Sequence, residues 1–149
     1  MPVDTGYAGR QYPPNTVFEV GREHLRSFAS AVGATHPAHH DEAAARALGH
    51  PDVVAPPTFA VVVAQRAEAQ LFEDPAAGID FSRVVHADER FTHHRPIHAG
   101  DRLVTVLHVD SIVERAGLAM ITTRAEIADE AGAAVSTVVS TLAVRPEES

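Results

Sequence analysis

The chain has 149 residues, 45% of them apolar, and a formal net charge of −8; that is the size of one ordinary domain with a single core, expected here over residues 1–149. The acidic balance argues against a general affinity for nucleic acid or an anionic membrane, and no apolar run is long enough to span a bilayer. Cysteine is absent and all twelve basic residues are arginine, which removes disulfides, thiol nucleophiles, cysteine-zinc sites and Schiff-base chemistry on a side-chain amine.

The opening "MPVDTGYAGRQYPP" lacks the basic patch and apolar stretch of a secretory signal, so a cytoplasmic protein is expected. A short extended piece is predicted at residues 16–20. "GREHLRSFASAV" then places Leu25, Phe28, Ala29 and Val32 on one face of an amphipathic helix, which Gly33 stops. A histidine-rich loop, "AVGATHPAHHDE", follows at residues 31–42. Asp41 reads as the N-cap of a short helix, "DEAAARALG", closed by Gly49. After the turn-like "HPDVVAPPTF" comes a longer helix, "TFAVVVAQRAEAQLFED", bounded by Pro57 and Pro75. Its first half, residues 59–64, is apolar on nearly every side and is expected to be buried all round. Its second half, residues 65–74, turns polar and is expected to emerge into solvent.

The remainder reads as strands. "SRVVHADERFTHHRPI" has extended character, and "DRLVTVLHVDSIVE" alternates, with Leu103, Thr105, Leu107, Val109 and Ser111 on one face. "GLAMITTRAEIADE" and "AAVSTVVSTLAVR" continue the β-branched pattern. Short connections at residues 114–117 and 129–133 make antiparallel neighbours. A buried helix followed by an antiparallel meander predicts an α+β hot-dog fold, with the sheet wrapped around the helix; a two-layer α+β sandwich is the alternative. A curled sheet leaves an open edge, so a dimer is expected, either with a second copy or with a different chain.

Three segments in this order, "YPPNTVFEVGREHLRSFASAVGATHPAHHD", "LGHPDVVAPPTF" and "RVVHADERFTHHRPIHAGDRL", resemble the MaoC-like hydratase/dehydratase group of hot-dog proteins. More narrowly, the chain is similar to the small actinobacterial dehydratase subunits of type II fatty-acid or mycolic-acid synthesis. The resemblance implies a 3-hydroxyacyl or trans-2-enoyl thioester substrate on coenzyme A or acyl carrier protein, no cofactor, no metal, and a site formed at a dimer interface. Active members carry a pattern like Asp-x-Asn-Pro-x-His, whose aspartate and histidine hold a water and exchange protons with C2 and C3 of the acyl chain. A backbone N–H at the start of the buried helix polarises the thioester carbonyl.

Carried onto this sequence, the motif falls on "ATHPAH", residues 34–39. Pro37 and His39 match, His36 stands in the asparagine position, and Ala34 leaves the acid position vacant. Where active members often have "APG", this chain has "APP", and Pro57 has no N–H to donate. Losing a general acid or base typically costs about 10²–10⁴ in rate, and losing one oxyanion donor about 10²–10³. The resemblance therefore implies a degenerate half-site. This chain would bind the acyl thioester through Pro57, Thr58, Phe59, Val62 and Val63 and keep His39 as a remnant base. It would act as a homodimer or as a heterodimer with a catalytic partner carrying the complete motif.

Other readings stay open. His36, His39, His40 and Asp41 are competent metal ligands, but they are contiguous loop positions with nothing downstream to complete a tetrahedral set. The stretch "ERFTHHRPIHAGDR" gathers Arg90, His93, His94, Arg95, His98 and Arg102. It reads as a landing site for the phosphates of coenzyme A or phosphopantetheine, with Arg90, His94, Arg95 and Arg102 as contacts, or as a solvated strand end. A thioesterase would need a carboxylate or glutamine on the central helix, where Gln65 and Glu68 lie; both also fit its solvated end. A binding module without chemistry is the third class.

Overall fold

The computed structural model describes residues 2–147. Its first strand, β1 (Phe18–Glu19), leads into α1 (Arg22–Ala31), which buries Leu25 and Ala29 completely and Phe28 in part. Gly33 stops the helix with φ +73°, a conformation that costs glycine no Cβ clash. Val32 lies past the last turn and is 51% exposed, so it leaves the predicted apolar face. The next helix, α2 (Glu42–Ala47), is capped as its sequence predicts: the Asp41 carboxylate accepts from the Ala44 amide at 3.1 Å.

The central helix, α3 (Ala60–Phe72), corrects two expectations. Its apolar first half is not buried all round, because Val61 and Val62 keep partial exposure. Its polar second half does not emerge whole. Ala60, Val63, Ala64, Ala67, Glu68 and Leu71 form one stripe at helical spacing along the full length, each 1% exposed or less. The period of 3.6 residues outranks the local change in polarity, and it carries Glu68 into the core. Phe59, just before the helix, is fully buried among the rings of Phe18, His24 and Phe28.

The sheet that packs on α3 has four long antiparallel strands: β2 (Val84–His93), β3 (Arg102–Arg115), β4 (Leu118–Asp129) and β5 (Ala134–Val144). With β1 the spatial order is β1-β3-β4-β5-β2. Strands β3, β4 and β5 face the helix, giving the hot-dog arrangement. The β3–β4 hairpin turns through Ala116 and Gly117, with φ of 51° and 81°, the paired positive values of a two-residue type I′ turn. Along β3 the inward residues are Leu103, Thr105, Leu107 and Val109, as predicted, but Ser111 is not the next. The register with β4 shifts between Val109 and Ser111, making Asp110 the extra residue of a bulge, and Ile112 turns inward instead. A second bulge lies at Ala87 of β2.

The two edges of the sheet are finished differently. On the β3 side, residues 9–20 run alongside as an irregular cover, with hydrogen bonds from Gly9 to Val109, Tyr12 to Leu107, Asn15 to Thr105 and Val20 to Asp101. On the other side β2 is the terminal strand, ten residues long and exposed over most of them. A long bare edge offers a row of unpaired backbone groups. Among the described residues, no helix is long and apolar enough to cross a membrane.

Candidate active site

The two histidine-rich stretches, more than fifty positions apart in sequence, are brought together by a small backbone ladder. Ala55 donates to the Ile97 carbonyl at 2.7 Å and Ala99 to the Val53 carbonyl at 2.8 Å, while Val54 donates to the Ala38 carbonyl at 3.0 Å. Residues 53–55 therefore form a spine, with the 37–39 turn on one side and the 97–99 segment on the other. Between them opens a pocket of about 500 Å³, walled by His39 and His50, by residues 54–57 leading into α3, and by residues 93–97 leaving β2.

His39 has a defined tautomer. Its Nδ1 lies 2.8 Å from the Val54 carbonyl, which can only accept, so Nδ1 carries the proton and the neutral ring keeps its basic lone pair on Nε2. His40 is tied off by a 2.8 Å contact from Nε2 to the Ala34 carbonyl. His36 caps the 37–39 turn, its Nδ1 accepting from the Ala38 amide at 3.1 Å. Each of the three loop histidines thus has its own local task. Among the described residues, no three histidine or carboxylate side chains converge as a metal site.

Among the described residues, no aspartate or glutamate lines the pocket, and Ala34 does not line it either; the Ala34 carbonyl is engaged by His40. At the helix entrance Pro57 lines the pocket without an N–H to offer, and Thr58, the next residue, is exposed. Phe59 and Val63 lie wholly inside the core, whereas Thr58 and Val62 reach the surface.

The candidate phosphate contacts separate. His94 and Arg95 line the pocket; Arg90 and Arg102 do not. Arg95 holds Asp101 through two hydrogen bonds of 2.9 Å, and Asp101, only 7% exposed, also accepts from the His98 amide at 2.9 Å. The Asp101 carboxylate pushes the Arg95 guanidinium value further up, so this arginine is charged and already partnered. Arg102 pairs with Glu19 and Glu130, and Arg90 meets Asp88 at 3.4 Å on an exposed strand. His50, and His93 from the arginine–histidine cluster, also line the pocket beside His39. Only the ladder at residues 53–55 reveals them, and no local pattern in the sequence signals it.

A family model described as the FAS1-like dehydratase domain region matches residues 7–138 of the chain. A UPF0336 protein of Saccharopolyspora erythraea is 53% identical over 145 residues, 97% of this chain and 93% of that protein. Among solved structures, the C-terminally truncated HadBC (3R-hydroxyacyl-ACP dehydratase) complex of Mycobacterium tuberculosis aligns with a TM-score of 0.81 and 36% identity, covering 92% of this chain and 96% of that one. A MaoC-like dehydratase aligns with a TM-score of 0.84, also at 36% identity, covering 94% of this chain and 42% of that one.

Proposed function

Because the chain belongs to the MaoC-like hot-dog dehydratase family, we propose that it is the substrate-binding half of a (3R)-hydroxyacyl-thioester dehydratase whose acid comes from a partner subunit. The observation that carries this reading is the pocket wall: several histidines and not one carboxylate. Dehydration takes a proton from C2 and delivers one to the departing C3 hydroxyl. In this reading His39 Nε2 takes the first task, and among the described residues no pocket side chain is a carboxylate for the second. A site holding one of the two groups falls short by about the 10²–10⁴ that a general acid supplies.

In this proposal the whole chain, residues 1–149, acts as one hot-dog domain in the cytoplasm. Pro57, Thr58 and Val62 present the surface along which the acyl thioester runs, and Phe59 and Val63 back that surface from the core. His94, at the pocket wall, and Arg90, on the neighbouring strand, meet the phosphates of coenzyme A or of a carrier-protein prosthetic group, with Arg95 and Arg102, each already paired to carboxylates, at the margin of that surface. The bare β2 edge receives the partner hot-dog subunit; the HadBC structure, itself a complex, supports a two-chain assembly.

A thioesterase reading is weaker, because Glu68 is 1% exposed against the sheet and Gln65 faces a different pocket, with Phe72, Phe81 and His86. The deciding assay is hydration of a crotonyl thioester by the purified chain alone and by the complex recovered with it from its native host. Turnover in the complex and none in the lone chain is the expected result. Ordinary enzyme rates from the lone chain, or thioester hydrolysis without a hydroxyacyl product, defeat it.

A further inference from the structure

Behind α3, on the side away from the pocket, lies a row of polar side chains in the core. Val109, Thr123, Ser140 and Glu89 are cross-strand neighbours in β3, β4, β5 and β2, and Glu68 of α3 sits over them. Thr123 and Ser140 are fully buried and Glu68 is 1% exposed. Thr123 donates its hydroxyl proton to Glu68 Oε1 at 3.2 Å, and Ser140 donates its own to Glu89 Oε2 at 2.7 Å. That leaves Glu68 Oε2 and Glu89 Oε1 buried with no hydrogen-bond partner. An ionised carboxylate sealed in the core at Glu68, with the half-buried Glu89 carboxylate beside it and one oxygen orphaned on each, is an arrangement that core energetics disfavour.

One proton resolves most of this. On Glu68 Oε2 it removes a buried charge and turns an orphaned acceptor into a donor. The Ser140 hydroxyl, which donates to Glu89, also lies near enough to act on the Glu68 carboxyl, where it favours the charged form against the effect of burial. The groups facing Glu68 are Thr123 from β4, Ser140 from β5 and the apolar Val109 from β3, with Glu89 and His86 from β2; only the last two titrate. His86 Nε2 stands 4.0 Å from Glu89 Oε1, at the surface end of the row. Burial is the largest cause and raises the Glu68 value, as does the Glu89 charge; the Ser140 and Thr123 hydroxyls and His86 pull it down, and the balance is upward.

We propose that Glu68 is protonated in the folded chain and that this neutral carboxyl, set beside the Ser140–Glu89 pair, is a latch that lets the edge strand β2 close on the central helix. The latch is independent of the dehydratase reading and of any partner. Its sign is fixed by linkage: a carboxyl raised on folding stabilises fully below its ordinary range, and that stability drains as pH rises through the raised value. Alkaline conditions therefore loosen β2 first.

The test compares the thermal midpoint of the full chain with that of Glu68→Gln, which keeps a neutral donor in place, over roughly pH 5–9. The wild-type midpoint is expected to fall relative to the variant by about 5 °C across that range, with β2 amides losing protection from exchange in the same window. Parallel curves for the two proteins overturn the proposal. Should Glu68→Gln fail to fold, ¹³C titration of the wild-type glutamate carboxyls decides alone. A glutamate still protonated at neutral pH supports the latch, and a full set of ionised carboxylates sinks it.

Discussion

Helix α3 separates two regions with opposite deficits. At its N-terminal end is an open pocket rich in bases and without an acid; behind its inward face is a row holding two carboxylates that substrate cannot reach. The same helix has acid and base beside it, but among the described residues no carboxylate lines the pocket, and in the row the one imidazole, His86, stands at the surface end. Residue types therefore say little about chemistry until access is known. In the pocket, one imidazole, His39, is held at a defined tautomer by the Val54 carbonyl. In the row, burial is the main cause raising the Glu68 carboxyl.

The sharpest way to break the contrast is to supply the missing acid. Replacing Ala34 by Asp together with His36→Asn rebuilds the family pattern around His39. The lone chain should then gain about 10²–10⁴ in crotonyl-thioester hydration over its own background. No gain would show that position 34 does not face the reacting carbons. Next in size is Asp101→Ala, which strands the Arg95 guanidinium and the His98 amide beside the pocket wall. A loss of about 3 kcal/mol in denaturant unfolding is expected.

On the other side of the helix, Thr123→Val removes the donor to Glu68 Oε1 with little change in shape and should cost about 1–2 kcal/mol by the same measurement. A smaller effect probes the loop that carries His50. Hydrogen bonds from Arg22, at 2.8 and 2.9 Å, are the main cause holding the Asp52 carboxyl down at about 2. A depressed carboxyl stabilises above its ordinary range and loses that stability as pH falls toward the folded value. Asp52→Asn should thus cost about 1 kcal/mol at neutral pH and nothing measurable near pH 2. The smallest change is expected from Arg90→Ala. Its stability should stay within about 0.5 kcal/mol, while carrier-protein affinity drops a few-fold at low salt and converges with wild type as salt rises. Equal affinities at low salt would remove Arg90 from the docking surface.

Much of the fold was legible because periodicity reports burial directly. Alternation in 102–109 marked the inward face of β3, and Asp41 and Gly33 marked helix ends by their own local chemistry. The bulge at Asp110 was not legible, since one extra residue leaves no signature beyond a phase change that short strands hide. Glu68 was misread for a different reason. The polar run suggests a gradient from end to end of the helix, whereas the 100° turn per residue assigns each position to a side. In the site, Ala34, His39 and Pro57 were visible as departures from a motif. That His50 and His93 share a pocket with His39 was not.

Taken by itself, the amino-acid order determined which segments are helix and strand, the absence of an acid at position 34, and the absence of an amide hydrogen at Pro57. These are properties of single residues or of short-range repeats. Only the tertiary structure decided that the two histidine stretches meet across residues 53–55 and that a glutamate lies sealed behind α3. It also left one edge of the sheet covered and the other bare. Those outcomes depend on contacts between residues tens of positions apart, whose closeness arises from packing the whole chain at once and has no trace in any local window.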